Sequence, residues 1–336
     1  MTTEADLLAA IRADPDDDAP RAIYADWLIE RGDPRGTYIQ HALHRSSTSH
    51  DDEIEAKWQK ELGAAWPDSW IAFDRGLPVS VSGYTKSLER LRDVVARFPI
   101  TTLGVRDRDK FPAFLDLSYI RTLVLQSWSV SRELVDALAR APIAPRALEA
   151  KWGAITDDHS EPLAAVPWFR ALEKLDIEPR GGLSDTGFGR LFAHPMPELR
   201  DLRICGRGLS TSPVLSNVAS IVNGSPRLQK LDLSIMKLGP FAAAIASAPL
   251  PALVELNLNG TGIDRDVCAA LAESRLPIEH FYLNHNELGL DGVRPFGHMT
   301  GLPNLKILSL VLGNIDGRTG AEIARELGIR ETVEVY

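Results

Sequence analysis

One hydrophobic pattern returns along most of the chain: an apolar residue, two variable residues, an apolar anchor, one variable residue and a third apolar residue. Clear copies are Ile120–Leu125, Leu172–Ile177, Leu199–Ile204, Leu228–Leu233, Leu253–Leu258, Ile278–Leu283 and Leu305–Leu310, with a weaker copy at Leu148–Ala150. The anchors are Leu123, Leu148, Leu175, Leu202, Leu231, Leu256, Phe281 and Leu308, spaced 25, 27, 27, 29, 25, 25 and 27 residues apart. Such regular spacing indicates a tandem repeat.

Each copy predicts a short strand that buries one face, because alternating apolar residues lie on the same side of a strand. One strand cannot bury that face alone, so neighbouring copies must stack and share a core. Poorer copies at Leu77–Val81 and Leu103–Val105, and a closing strand at Val333–Val335, extend the array.

The segments between the strands have helical features. In Ser131–Arg140 a serine suited to an N-cap precedes apolar residues at helical spacing, and Pro142 follows as a stop. Similar return helices are predicted at Asp185–Ala193, Pro240–Ser247, Asp264–Glu273 and Asp316–Leu327.

This pattern resembles the leucine-rich-repeat family, and repeats of this length with a full helix resemble its ribonuclease-inhibitor subclass. The resemblance implies an α/β solenoid with a curved parallel sheet, outer helices and an N-terminal all-α cap. The family has an asparagine at one position of each repeat, and in this chain only Asn286 matches it. Because that asparagine normally satisfies backbone groups of the loop, less regular turns are expected. The other residues at that position are Trp128, Gly153, Arg207, Met236, Thr261 and Gly313.

Residues 1–74 predict a separate helical module, followed by a repeat domain at 75–336. Helices are expected at 4–13, at 19–30 with Ile23 and Trp27 facing inward, around Tyr38 to Leu43, and at about 52–62. The string Ala19–Ile39 is similar to a bacterial repeat-companion domain that precedes leucine-rich repeats in paralogous families, chiefly of myxobacteria and planctomycetes. That resemblance implies no catalytic residue.

Two roles remain open for this module. The first strand of a repeat array exposes an edge and an open core end, so the helices are expected to cap it, aided by Trp58, Trp66 and Trp70. An independent docking role is the alternative, and the two roles are compatible.

Charge narrows the partner classes. Residues 1–74 hold 16 acidic and 7 basic residues, which accounts for the whole net charge of −9. An acidic module repels phosphate backbones, so nucleic acid is not expected as a partner.

No leader pattern or long apolar run is present, and two cysteines do not make a disulfide framework. A cytoplasmic, monomeric protein that binds no membrane is expected, with buried cysteines.

The concave strand face is the usual binding surface of this architecture. The candidate partner-binding residues are Glu149, Trp152, Asp176, Arg203, Asp232, Asn257, His280, Tyr282 and Asn284. This mixed polar strip with aromatic members suits a protein or peptide better than nucleic acid. A solvated face without a partner is one alternative. Regulation of a small GTPase or another enzyme, through Arg203 or Asn257 at the sheet rim, is the other.

Sequence motifs for catalysis are missing, so no enzymatic activity and no cofactor are expected. Asp14–Asp18 resembles a calcium loop, but Ala19 and Ala25 stand where glycine and glutamate are needed, and an acidic turn at a helix start is favoured. His280 and His285 lack a third metal ligand at suitable spacing. Nucleotide-binding, nucleophile-elbow and zinc-protease motifs are absent.

Overall fold

The computed structural model describes most of the chain, and its contacts divide it into two compact units, Met1–Pro145 and Arg146–Tyr336. The described residues are 2–44, 49–64, 67–108, 110–115, 117–128, 130–206, 215–298, 301–310, 320–329 and 334–335. Arg207, Gly313, Trp66, Val333 and the start of the helix expected at 316 lie outside them. Each unit is described separately.

The first unit begins with four helices: α1 (Glu4–Ala13), α2 (Ala19–Ile29), α3 (Pro34–Leu43) and α4 (Ser49–Glu61). Local signals fix their starts, since Thr3 and Asp6 form a capping box on α1 and Asp33 caps α3 ahead of a proline. Tyr24 and Leu28 of α2 are buried. The inward orientation expected for Ile23 is wrong: its side chain is 58% exposed.

An antiparallel hairpin follows the helices, which the repeat pattern does not predict. Strands β1 (Ser69–Asp74) and β2 (Leu77–Gly83) are joined by Arg75 and Gly76, both with positive φ, 47° and 75°. Two positive φ values are typical of a type I′ turn, whose twist matches the strands of a hairpin. Gly76 also lacks room for a side chain, because a Cβ there would lie 2.6 Å from the Cα of Ile39.

The rest of the first unit has the expected alternation of strand and helix. It contains α5 (Thr85–Leu88), a 3-10 turn (Glu89–Leu91), α6 (Arg92–Arg97), β3 (Thr102–Val105), β4 (Thr122–Gln126) and α7 (Arg132–Arg140). Strands β2, β3 and β4 pair in parallel. The predicted cap of α7 is present, since the Ser131 side chain accepts a hydrogen bond from the Leu134 amide.

The helices of this unit are tied to its strands. Trp58 of α4 is buried against Phe73 and Phe98, with ring centroids 5.3 and 5.8 Å away. The turn between α1 and α2 is held by Arg75, whose guanidinium donates to the carbonyls of Pro15 and Asp16. Trp70, expected to help seal the core, is 39% exposed instead, because it points away from the buried face of β1.

The second unit repeats one strand and one return segment. Its elements are β5 (Ala147–Lys151), α8 (Asp157–Ala165), α9 (Pro167–Arg170), β6 (Lys174–Ile177), α10 (Asp185–Leu191), β7 (Asp201–Ile204), α11 (Val218–Asn223), β8 (Lys230–Asp232), a 3-10 turn (Gly239–Ala242), α12 (Ala243–Ala246), β9 (Glu255–Asn257), α13 (Arg265–Glu273), β10 (His280–Tyr282), α14 (Gly289–Val293), a 3-10 turn (Arg294–His298), β11 (Ile307–Ser309), α15 (Gly320–Leu327) and β12 (Glu334–Val335). No described helix has the length and apolar character that a membrane span needs.

The anchors stack in register, which confirms the predicted fold class. Leu148 pairs with Leu175, and the parallel pairing continues from anchor to anchor through Leu202, Leu231, Leu256, Phe281 and Leu308 to Val335. The anchors from Leu148 to Leu308 are at most 1% exposed. The chain therefore has an α/β fold in which stacked strand-and-helix repeats form a mostly parallel sheet, together with an N-terminal helical region.

Candidate functional site

Six of the predicted binding residues form one row across the second unit. Each lies one residue after an anchor, and the strand register pairs each with the next. They are Glu149, Asp176, Arg203, Asp232, Asn257 and Tyr282. Because successive residues of a strand point to opposite sides, this row lies opposite the buried anchors. We call this side of strands β5 to β11 the outward face.

The β5–β8 half of the outward face is an ion-pair ladder centred on Asp176. Lys151 Nζ lies 2.7 Å from Asp176 Oδ2, and Arg203 Nη1 lies 3.1 Å from the same oxygen. Arg203 Nε also approaches Asp232 Oδ2 at 3.4 Å, and Lys174 Nζ approaches Glu149 Oε1 at 3.2 Å. The Asp176 side chain is only 7% exposed, so its charge is neutralised largely within the protein.

The ladder changes the titration of its bases. Burial alone would lower the pKa of Lys151, but its hydrogen bond to Asp176 and the charges of Asp176, Glu149 and Glu178 raise it above its ordinary value. The pKa of Arg203 is raised against burial in the same way, chiefly by Asp176. Both bases stay charged at neutral pH. Because the Arg203 guanidinium is paired with both Asp176 and Asp232, regulation of a bound enzyme through this side chain is disfavoured.

The β9–β11 half carries an asparagine ladder, and its charged residue Glu255 is paired with Lys230 of β8 at 3.2 Å. Asn257 Oδ1 accepts from the Asn259 amide at 3.0 Å, and Asn259 Oδ1 accepts from the Asn284 amide at 2.7 Å. Asn284 Oδ1 in turn accepts from Ser309 Oγ at 3.1 Å. With their oxygens engaged, Asn257 and Asn259 have Nδ2 groups that make no hydrogen bond among the described residues, so these donors are available to a ligand.

Tyr282 and His280 also belong to the β9–β11 half, and both are partly exposed. His280 lies one residue before its anchor, in the row next to that of Tyr282. Among the residues that the structure describes, no three potential metal ligands come together. The arrangement offers hydrogen-bond donors and an aromatic ring for recognition.

The fourth residue after an anchor lies in the left-handed region of φ in four repeats of the second unit. These rim positions are Trp152 (59°), Ile235 (61°), Gly260 (62°) and His285 (60°). Ile235, Gly260 and His285 lie side by side, since a Cβ on Gly260 would lie 3.9 Å from Ile235 Cγ1 and 4.0 Å from His285 Cβ. Trp152 and Ile235 are 40% and 37% exposed, and His285 is also exposed.

Sequence reasoning selected Trp152 and weighed His285 for this surface, but it missed Ile235. The sequence signal that could have found Ile235 is its position four residues after the anchor, which Gly260 occupies in the next repeat. The structure brings Asn257, Tyr282 and Asn284 together and places Glu149, Asp176, Arg203 and Asp232 in the ion-pair ladder. Trp152 lies at the rim, beyond the end of the row.

The acidic turn and the two cysteines considered from the sequence have structural surroundings that account for them. The acidic turn before α2 is held by arginines: Arg121 Nη1 lies 2.6 Å from Asp16 Oδ2, and Arg75 Nη1 lies 2.7 Å from Asp18 Oδ1. Cys205 and Cys268 are unbridged and fully buried, as expected. Burial raises the pKa of the Cys268 thiol to about 12, so it remains protonated at neutral pH.

Comparison with known proteins adds little. No protein-family model matches the chain, and no curated protein matches its sequence. Among solved structures, an internalin of Listeria monocytogenes is similar, with 16% identity over 76% of this chain and 86% of the internalin chain, at a TM-score of 0.31. At this identity and TM-score the likeness decides nothing about function.

Proposed function

We propose that this chain is a non-catalytic module that binds a protein partner on the outward face of its second unit. The proposed contact residues are Glu149, Trp152, Asp176, Arg203, Asp232, Asn257, His280, Tyr282 and Asn284, together with Ile235 and His285. One observation carries the proposal: large, exposed side chains occupy rim positions whose backbone conformation favours glycine.

The cost of these side chains is the reason to assign them a role. An L-residue in the left-handed region loses about 1–2 kcal/mol, and a β-branched residue such as Ile235 is a genuine outlier there. In the next repeat the equivalent position is occupied by Gly260, so glycine fits this position of the repeat. Strain of this kind is concentrated at ligand-binding and other functional sites. Exposure of Trp152 and Ile235 leaves their apolar surface available for a partner.

The two halves of the outward face suit different parts of an interface. The part of the face around Tyr282 and the Asn257 and Asn259 side chains carries neutral groups, which cost less to desolvate than the ion-pair ladder, and buried aromatic residues are typical binding hot spots. The ion-pair ladder around Asp176 is costly to bury but sets orientation and excludes partners of the wrong charge pattern. We therefore expect the centre of the interface on β9–β11 and its specificity on β5–β8.

For the N-terminal helices we propose a capping role. The burial of Trp58 against Phe73 and Phe98 and the hold of Arg75 on the α1–α2 turn support it, because both join the helices to the first strands. A repeat array needs such a cover at an end where no further repeat stacks.

The test is affinity purification from the native cell with matched variants. Ile235→Gly and Tyr282→Ala should each reduce recovery of the partner more than tenfold, as hot-spot truncations of 2 kcal/mol or more do. Ile235→Gly relaxes a strained backbone, so thermal unfolding should stay near wild type and separate lost binding from lost folding.

Phe241→Ala is the control, because Phe241 is 46% exposed but belongs to a return segment. Equal recovery with all three variants would contradict the proposal. Loss with Phe241→Ala alone would move the interface to the helical side.

A further inference from the structure

A pocket of ≈ 300 Å³ lies in the first unit, and it shares no residue with the outward face. It lies between the end of α4 and the helical segment that continues from the 3-10 turn at Glu89–Leu91 into α6. Leu62, Val94 and Phe98 form its apolar floor, and the last two are only 5% and 1% exposed. The volume is at the lower end for small-ligand sites, so the pocket suits a ligand of about the size of one amino acid.

The end of α4 fixes one wall of this pocket. Gly63 has a φ of 86°, and the amides of Gly63 and Ala64 donate to the carbonyls of Lys60 and Gln59, each at 3.1 Å. This pattern is a Schellman motif, in which a glycine in the left-handed region ends the helix. A Cβ on Gly63 would lie 4.0 Å from the Arg90 carbonyl oxygen on the opposite wall, and the glycine leaves that space open.

The rim of the pocket carries one paired arginine and two unpaired residues of opposite charge. Arg97 Nη2 lies 2.7 Å from Glu4 Oε1, and its guanidinium carbon lies 5.2 Å from the centroid of the Phe98 ring. Arg90 and Asp93 line the same pocket and are exposed. Residues three apart on a helix are neighbours and can form an ion pair. However, neither the Arg90 nor the Asp93 side chain has an ion pair or hydrogen bond with another residue that the structure describes.

We propose that this pocket binds a small zwitterion with an apolar body, namely a free α-amino acid with a side chain of about leucine size. The planar guanidinium of Arg90 matches the ligand's carboxylate, and the Asp93 carboxylate accepts hydrogen bonds from its ammonium group. The apolar floor contacts its side chain. Glu61, the second acidic residue of the lining, lies 3.9 Å from Lys57 Nζ. A ligand with a single charge fits less well, because it gains only one of the two charged contacts.

Isothermal titration calorimetry of the full chain at pH 7 tests the proposal with matched ligands. The probes are L-leucine, N-acetyl-L-leucine without the ammonium group, L-leucinamide without the carboxylate, and glycine without the apolar side chain. Leucine should bind at least about fivefold more tightly than each of the other three.

The two leucine derivatives also represent the ends of a polypeptide, since each keeps one of the two charges. Equal binding of leucine and either derivative would overturn the proposal in favour of a polypeptide terminus. Equal binding of leucine and glycine would overturn the role of the apolar floor.

Variants at the rim assign each contact. Arg90→Gln should remove the preference for leucine over leucinamide and keep the preference over N-acetyl-leucine, and Asp93→Asn should do the reverse. Arg92→Gln and Glu89→Gln are the matched controls, because both residues are exposed neighbours outside the pocket lining. Thermal unfolding checks that each variant is folded. The proposal is overturned if leucine does not bind up to about 10 mM, or if the controls change the two preferences as much as the rim variants do.

Discussion

Asn286 connects two consecutive turns of the repeat and gives the sharpest stability prediction. Its Oδ1 accepts from the amides of Thr261 and Gly262 at 2.8 and 2.9 Å. Its Nδ2 donates to the carbonyls of Leu258 and Leu283 at 2.8 and 2.9 Å. The side chain is 7% exposed. Asn286→Ala therefore removes a buried bridge between backbone groups of two neighbouring repeats.

The magnitude follows from the groups left without a partner. The Leu258 carbonyl keeps the Thr261 hydroxyl as a donor at 2.7 Å, so three bridged backbone groups lose the Asn286 bond without such a substitute. A buried unsatisfied group costs about 1–3 kcal/mol, and some water will reach the site. We expect the free energy of unfolding to fall by about 3–5 kcal/mol.

Urea unfolding at pH 7, followed by circular dichroism, measures this loss. Asn257→Ala is the matched control, since Asn257 is half-buried and accepts one local hydrogen bond from the Asn259 amide, so it should cost about 1 kcal/mol or less. Hydrogen exchange should also accelerate at Thr261 and Gly262 in the Asn286 variant. A loss below about 1 kcal/mol for Asn286→Ala would refute the reasoning.

Three further predictions concern buried or paired groups. Arg21 is fully buried, and its Nε and Nη2 have no hydrogen-bond partner among the residues that the structure describes. Arg21→Met should therefore leave stability unchanged or raise it by about 1 kcal/mol in urea unfolding, and a clear loss would contradict this. Burial would raise the pKa of Glu4, but hydrogen bonds from Tyr24 and Arg97 lower it. The stabilisation that the ionised Glu4 carboxylate contributes is present above its unfolded-state pKa of about 4, and it is lost as the pH falls through the lower folded-state pKa. Hydrogen exchange of the α1 amides should therefore accelerate in that acidic range in wild type but not in Glu4→Gln. Cys268 should resist iodoacetamide in the native protein and react only on unfolding; rapid native alkylation would contradict its burial.

The spacing of the anchors was enough to predict the strand register of the second unit. Each anchor from Leu148 to Leu308 pairs with the next because strands stacked at repeat intervals have one register that buries every apolar side chain. The return helix α13 could be predicted for the same reason, since Asp264 caps it locally. Local signals and periodicity act within one repeat and need no knowledge of its neighbours.

Features that depend on neighbouring repeats could not be predicted. The ladder of Lys151, Asp176 and Arg203 requires three strands side by side. No spacing in the sequence indicates which acidic residue forms ion pairs with two basic residues. The β1–β2 hairpin was missed because its turn depends on Arg75 adopting a positive φ, which arginine rarely does. Ile23 was misplaced because helical spacing alone did not fix which side of α2 faces the core.

The most direct test of protein recognition on the outward face is site-specific photo-crosslinking in the native cell. Tyr282→p-benzoylphenylalanine places the reactive group on β10, and Phe241→p-benzoylphenylalanine places it on a return segment. The account predicts a discrete protein adduct from position 282 that disappears when Ile235→Gly is added, and none from position 241. Adducts from position 241 alone, or an adduct at 282 unaffected by Ile235→Gly, would contradict it.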